Sequence, residues 1–112
     1  IVIVEGYADA LHLMGAGVTA VAKLGSKLTP SQLRIIQSVD NDIVLWPDRD
    51  TPGLHGVAED LTKLMSKHNV TAVLPEYPDP ADTPGTSITG VIAASLDSCN
   101  YLSRVTSLVV SY

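Results

Sequence analysis

Asp48 and Asp50 stand two residues apart in "LWPDRDTPG", directly behind a short apolar run. Two like charges about 4 Å apart repel by roughly 1 kcal/mol in bulk water and about 4 kcal/mol at an effective dielectric near 20. A chain that puts such a doublet at the end of a desolvated strand needs a cation to offset the repulsion. Glu5, Asp79 and Asp82 also fall just behind apolar runs, and Asp9 follows Glu5 by four residues. Six of the twelve acidic residues belong to this set. With few histidines and one cysteine, the set is an all-oxygen environment, suited to Mg²⁺ or Mn²⁺ rather than Zn²⁺. Mg²⁺ takes one or two carboxylates and completes its shell with waters and substrate phosphates. Lys23 and Lys27, flanking Gly25, are candidate phosphate or nucleotide contacts. The competing reading is that aspartates at strand ends cap the helices that follow.

These residues can meet only if their elements align. Ile1 to Val4 is an unbroken β-branched run, the pattern of a strand buried on both faces. Val18–Ala22, Ile43–Trp46 and Val70–Leu74 read as the second, third and fourth strands. Between them, Ala8–Met14 predicts a short helix. Thr29 predicts a cap, with Pro30 in the first turn and Gln32 completing a capping box. Leu33, Ile36 and Val39 form that helix's inward face. Pro47–Gly53 reads as a loop. Leu54 to about Lys67 reads as a helix with Leu54, Val57, Ala58, Leu61, Leu64 and Met65 as its stripe. Pro75–Gly85 reads as loop and Ile88–Leu96 as helix. Ser107–Tyr112 reads as a fifth strand or a frayed tail.

Strands alternating with helices predict an α/β fold: a parallel sheet of about four strands with helices on both faces, Rossmann-like in plan. Ligands of such sheets bind at the carboxyl ends of the strands. Glu5, Lys23, Lys27, Asp48, Asp50, Asp79 and Asp82 all follow strands, so they are expected to converge on one edge.

Composition narrows the field. A chain of 112 residues, 46% hydrophobic and 17% charged, suits one compact domain. Without phenylalanine, its core must come from Val, Ile, Leu and Ala. A net charge of −5 argues against a free-standing nucleic-acid binder with a broad basic face. One cysteine, no signal peptide and no membrane-length apolar run suggest a cytoplasmic protein. Cys99 reads as a small apolar residue. The opening Ile1-Val2-Ile3-Val4, without methionine, reads as a domain excised from something longer. His12, His55 and His68 read as solvent or core histidines, Arg49 as a local charge partner and Trp46 as packing.

The stretches "VIVEGYADALHL", "AKLGSKLTPSQL", "VLWPDRDTPG" and "LPEYPDPAD", in that order, resemble the Toprim domain shared by bacterial primases, topoisomerases and some nucleases. They are most similar to DnaG-type primases of bacteria or mobile elements, over residues 1 to about 90. The resemblance implies a Toprim catalytic domain over residues 1–95, with 96–112 a C-terminal extension. It implies Glu5 as the catalytic glutamate, with Asp48, Asp50, Asp9 and Asp79 at metal positions. Gly6, Gly25 and Gly53 are the loop glycines, Gly53 letting the chain turn into the next helix. The implied function is Mg²⁺- or Mn²⁺-dependent nucleotidyl transfer in RNA primer synthesis, by a fragment inactive alone. Implied partners of the whole protein are nucleoside triphosphates, a single-stranded DNA template and a replicative helicase, with no membrane. Tyr7 is not a covalent tyrosine, since topoisomerases carry theirs on another domain. Two departures stand out. Arg49 sits where primases often have glycine, and Ala81 stands at the third position of an Asp-Pro-Asp loop, in place of its second acid, with Asp82 adjacent. The alternatives are a Toprim nuclease or topoisomerase fragment, or a non-catalytic Toprim-like binding module.

Overall fold

A computed structural model describes all of the chain except Asp40, Lys67 and Tyr112, and the side chains of 108–111. The expected strands appear as β1 (Val2–Val4), β2 (Ala20–Ala22), β3 (Ile43–Leu45) and β4 (Val70–Ala72). They pair only in parallel, in the order β2-β1-β3-β4. β2 starts two residues later than expected because the Val18 amide donates to the Leu13 carbonyl and closes the preceding helix. Ladder bonds outrun the strands: Trp46 N–H donates to Ile3 O at 2.9 Å, and Val73 N–H to Leu45 O at 2.8 Å.

Alternation along β1 sorts the core. Val2 and Val4 face one cluster with Ala10, Leu13, Trp46 and Ile88. Ile3 faces the other, with Leu45, Leu54, Val57 and Leu61. Helices α1 (Tyr7–Gly15) and α4 (Ile88–Ala93) supply the first layer. Helices α2 (Pro30–Gln37), α3 (Thr51–Leu64) and α5 (Ser98–Ser111) supply the second. Leu54, Val57, Leu61 and Leu64 of α3 are all fully buried. Each such side chain contributes roughly 1.5–3 kcal/mol of transfer free energy. The fold is the expected parallel α/β sheet with helices on both faces.

Helix ends differ from the sequence reading, and each difference has a local cause. α3 begins at Thr51, inside the expected loop, because Asp50 caps it and Pro52 suits a first turn. Its helical residues end at Leu64. Met65 is the exposed C-cap, and the expected boundary at Lys67 lies outside the described residues. α2 carries the predicted capping box, Thr29 Oγ1 accepting from Gln32 N–H and Gln32 Oε1 from Thr29 N–H. The Pro75–Gly85 segment is loop with a 3₁₀ turn at Pro80–Asp82, and a second such turn follows at Gly85–Ser87. α4 stops at Ala93, and Leu96 then pairs antiparallel with Ala72.

Ser107–Ser111 are helical, not a strand; Tyr112 lies outside the described residues. Asp97 Oδ1 accepts the Asn100 amide at 2.8 Å as α5 begins. Tyr101 and Val105, four residues apart, then bury into the core. The Tyr101 hydroxyl donates to the Leu54 carbonyl at 3.1 Å, and burial pushes its phenol up, keeping it a donor. Cys99 is exposed rather than packed. No helix among the described residues is long and apolar enough to cross a membrane.

Candidate functional site

The strand order reverses direction between β1 and β3, because the chain moves outward from β1 to β2 and then returns to place β3 on the other side. Sheets of this kind bind ligands at that switch point. Ile3 pairs with Leu45 across it. Glu5 leaves the carboxyl end of β1 and Asp48 leaves that of β3, so both carboxylates reach the crevice.

Glu5 Oε1 and Asp48 Oδ1 are buried and have no hydrogen-bond partner. Buried polar atoms are ordinarily satisfied, so two orphans at one crevice need a ligand, an ion or a proton. Desolvation raises the Asp48 carboxyl to about 7, with further upward pressure from Glu5, Asp9 and Asp50. Desolvation also raises Glu5 and Asp50 adds to it, while Asp48 and Lys23 pull it back down. Glu5 and Asp48 are close enough for a single proton to bridge them, which would satisfy both carboxylates together.

Gly53 closes the crevice from α3. A Cβ there would lie 2.7 Å from Glu5 Oε1, 2.7 Å from the Asp48 carbonyl and 2.8 Å from Asp50 Oδ1. Three oxygens from three positions therefore converge on one methyl-sized point, and only glycine leaves it open. Gly6 and Gly25 carry less: a Cβ at Gly6 would touch Asp9 Oδ2 at 3.4 Å, and one at Gly25 nothing nearer than 3.8 Å. In the Gly25 loop the left-handed backbone belongs to Leu24, at φ 61°, whose amide donates to Glu5 O at 2.7 Å.

Capping and the carboxylate cluster share residues. Asp50 Oδ1 accepts Gly53 N–H at 2.7 Å as the α3 cap. Asp79 Oδ1 accepts Asp82 N–H at 2.9 Å and caps its 3₁₀ turn. Asp9, buried in α1, accepts Ala81 N–H at 3.0 Å and so ties α1 to the Asp79 loop. Desolvation raises the Asp9 carboxyl, and Asp79 and Asp82 add to it. Asp79 and Asp82 thus act on Asp9, and Asp9 acts on Asp48. Among the described residues, however, no three His, Cys, Asp or Glu side chains converge as an ion cage of their own. Any ion here completes its shell from water or substrate, as Mg²⁺ does. The donor set, all oxygen with two orphaned atoms, fits such an ion.

Lys23 requires a correction. Its ammonium lies 2.9 Å from Asp60 Oδ2 and 2.7 Å from Ser26 O, with both side chains of the ion pair out of solvent. A phosphate cannot reach it without breaking that pair. Lys27 remains exposed, 3.3 Å from Glu59.

Sequence reasoning missed Asp60, Gly56 and Leu24. Asp60 was legible in principle, because it is a charge three residues after Val57 and four before Leu64, on the buried face of α3. Gly56 packs so closely on the Lys23–Leu28 loop that a Cβ would overlap the Ser26 carbonyl. His12 and His68 are half-buried, and their Nε2 atoms donate to the Thr83 and Val39 carbonyls, each at 2.7 Å.

A parallel α/β sheet with a desolvated carboxylate pair at its switch point defines the class: a doubly wound domain with an acidic ligand edge. The Toprim-like family matches residues 2–84. The DNA primase of Halalkalibacterium halodurans is 34% identical over 84 residues, covering 72% of this chain and 14% of that protein. A Helicobacter pylori DNA primase is 41% identical over 54 residues, 47% of this chain and 10% of its own length. The chain thus spans a small part of the curated relatives it matches. The DnaG catalytic core superposes at a TM-score of 0.75 with 20% identity, covering 93% of this chain and 37% of the other. The DnaG primase catalytic domain bound to single-stranded DNA superposes at 0.74, also at 20% identity, covering 93% and 36%. The chain belongs to the Toprim-like family.

Proposed function

We propose that this chain is the Toprim part of a DNA primase, supporting metal-dependent nucleotidyl transfer in RNA primer synthesis for DNA replication. One observation carries the reading: Glu5 Oε1 and Asp48 Oδ1, buried and without hydrogen-bond partners, face one crevice at the switch point. The primase relatives support the same chemistry.

In this reading Asp48 and Asp50 hold Mg²⁺ or Mn²⁺. Asp50 has one oxygen on the α3 cap and offers the other. Asp9 and Asp79, each with one oxygen on a backbone amide, would lend their remaining oxygens to the ion's binding. The metal, when bound, neutralises triphosphate charge and the charge that develops as a 3′-hydroxyl attacks the α-phosphate. Glu5, its carboxyl raised by burial, holds a proton at Oε1 to higher pH than an exposed glutamate does and exchanges it there. Gly53 keeps the crevice open. Lys27 is the cation this reading offers to a phosphate.

The whole protein would bind nucleoside triphosphates and a single-stranded DNA template, work with a replicative helicase and reside in the cytoplasm. The chain alone, at net charge −5, lacks the basic surface a template needs. Mn²⁺ titration followed by NMR tests the site. Broadening is expected around Glu5, Asp48 and Asp50 and is expected to vanish in the Asp48→Asn/Asp50→Asn variant. Broadening confined to another surface would leave the chain a non-catalytic Toprim-like module. Template-dependent primer synthesis by the isolated chain would contradict the division of labour proposed here.

A further inference from the structure

The two edges of the sheet differ. At β4, Leu96 closes the edge, its N–H and C=O each bonded to Ala72 at 2.8 Å. At β2, nothing among the described residues pairs with the outer side. Thr19 O accepts from Val2 N–H and Lys23 N–H donates to Val4 O, so Thr19, Val21 and Lys23 aim their backbone groups at β1. The N–H and C=O of Ala20 and Ala22 therefore point outward. Exposed edges are ordinarily blunted by charge, proline or a covering element. Val18-Thr19-Ala20-Val21-Ala22 contains neither charge nor proline.

The surface around this edge is apolar. Seven large apolar side chains are exposed among the described residues, and six lie on the elements beside this edge. They are Tyr7, Leu11 and Met14 on α1, Val21 on β2, Leu24 in the turn after it and Ile35 on α2. Tyr7, Leu11 and Met14 recur at i, i+4 and i+7. They lie away from the flank of α1 that carries Asp9 and His12, which bond to Ala81 and Thr83 in the loop after β4. On the other face of the sheet, a groove of about 220 Å³ runs beneath α2 and reaches the edge at Val21 and Ile35. No side chain of α2 is fully buried. Residues 10–39 contain no Asp or Glu, although the chain has twelve. Of the cations there, Lys23 pairs with Asp60 and Lys27 with Glu59, and Arg34 bonds Ser31 Oγ.

We propose that this face pairs with a second copy of the chain, β2 beside β2, antiparallel about a twofold axis at Val21. The backbone is self-complementary in that register. Ala20 stands opposite the partner's Ala22, and Ala22 opposite the partner's Ala20, each pair exchanging both ladder bonds. Val21 faces the partner's Val21 between them, in the closer position without hydrogen bonds. The axis is perpendicular to the sheet and the contact isologous. It therefore places α2 of both copies, with Ile35 and the groove, on one face. The Tyr7, Leu11 and Met14 stripes lie on the other. Charge favours a copy over a foreign strand. Two chains of net charge −5 repel wherever their acids face each other, and residues 10–39 form the stretch from which acids are absent. The crevice between β1 and β3 stays open, so the pairing does not rest on the primase reading.

Sedimentation velocity at rising chain concentration tests it. The mass should rise from that of one chain toward that of two, and the Ala20 and Ala22 amides should gain protection from hydrogen exchange as it does. Val21→Lys sets two ammonium groups face to face at the axis and should weaken pairing about tenfold or more. Ala22→Pro removes one outward N–H from each copy, at an edge position that tolerates proline, and should weaken pairing too. Met65→Lys changes the exposed large apolar side chain that lies off this face and should pair as the parent does. Dilute samples of both lysine variants should melt as the parent does, which separates lost pairing from lost folding. The proposal is overturned if the parent stays a single chain, which would leave the edge to a strand of another protein. It is also overturned if Val21→Lys pairs as tightly as the parent, if Met65→Lys abolishes pairing, or if pairing leaves the Ala20 and Ala22 amides exchanging freely. Mn²⁺ should broaden Asp48 equally in Val21→Lys and the parent. Its failure in both would sink the metal site and leave this surface standing.

Discussion

Glu5 Oε1 and Asp48 Oδ1 face the same crevice from adjacent strands, both buried and both without a hydrogen-bond partner. The pair is an electrostatic cost that the fold accepts at one position, and its sign can be worked out. In the folded chain Asp48 titrates at about 7, against an ordinary value of 3.8. Between those values the folded state binds the proton and the unfolded chain does not. Stability tied to Asp48 is therefore full at low pH and is lost as pH rises toward and through about 7. Glu5 and Asp9, also raised, act in the same direction. Melting in chelator should show the parent losing stability relative to Asp48→Asn between pH 5 and pH 8. Parallel curves for the two proteins would show that Asp48 is not desolvated as described.

Metal should reverse that cost. With millimolar Mg²⁺ near pH 8 the parent should melt higher than in chelator, because ligand binding to the folded state stabilises it by mass action. Asp48→Asn and Asp50→Asn should each gain less. An equal gain in all three proteins would place the ion elsewhere.

Gly53→Ala should damage stability and site together. The new methyl would sit under 3 Å from Glu5 Oε1, the Asp48 carbonyl and Asp50 Oδ1. The Glu5 side chain can swing away, but the carbonyl cannot without moving the loop. A loss of about 1–3 kcal/mol is expected, the usual cost of overpacking. Urea unfolding measures it, and weakened Mn²⁺ broadening reports the displaced carboxylates. A variant as stable as the parent, with normal broadening, would mean that the crevice is looser than its geometry.

Asp50 separates capping from charge. Asp50→Ala removes the acceptor for Gly53 N–H and should cost about 1 kcal/mol, within a range of about 0.5–2 for lost caps. Asp50→Asn keeps the cap and removes the charge, so in chelator it should melt at or above the parent temperature. If Asn destabilises as much as Ala, the carboxylate charge itself holds the helix end, and repulsion within the doublet is small.

Much of this was legible because local signals agreed with one another. The short apolar strand segments, the Thr29-Pro30-Gln32 start and the α3 stripe each specify an element alone, and together they specify the parallel sheet. The carboxylates at strand ends follow from that topology. Two things were hidden. An N-cap and a metal ligand are the same residue type in the same place, so sequence presents as rivals two roles that Asp50 can combine. Lys23 looked like a loop lysine because its partner lies 37 residues away, on a helix that sequence places only approximately. α5 was hidden for a third reason. Its first turn reads Ser98-Cys99-Asn100, weak helix formers, and its stability comes from Tyr101 and Val105 packing on the core rather than from propensity.

The Lys23–Asp60 pair yields the largest expected single effect. The ammonium and carboxylate lie 2.9 Å apart and fully buried, and Asp60 also accepts the Leu28 amide at 3.0 Å. The pair fastens the loop after β2 to α3. The same loop bonds back to the crevice, Lys23 N–H to Val4 O and Leu24 N–H to Glu5 O. Lys23→Met would leave a buried carboxylate with only a backbone amide, and removing one partner of such a pair costs about 3–5 kcal/mol. Replacing both, as Lys23→Met/Asp60→Leu, removes the uncompensated charge and should recover most of that loss. Recovery should stop short of the parent, because the Leu28 amide would then be buried without an acceptor, at about 1–3 kcal/mol. Urea midpoints of the three variants measure this. The expected order is parent, double variant, single variant, from most to least stable. If Lys23→Met falls within 1 kcal/mol of the parent, solvent reaches the pair and the loop is held by its backbone bonds and the Gly56 contact instead. If the double variant is the least stable of all, the pair contributes net attraction rather than mutual neutralisation.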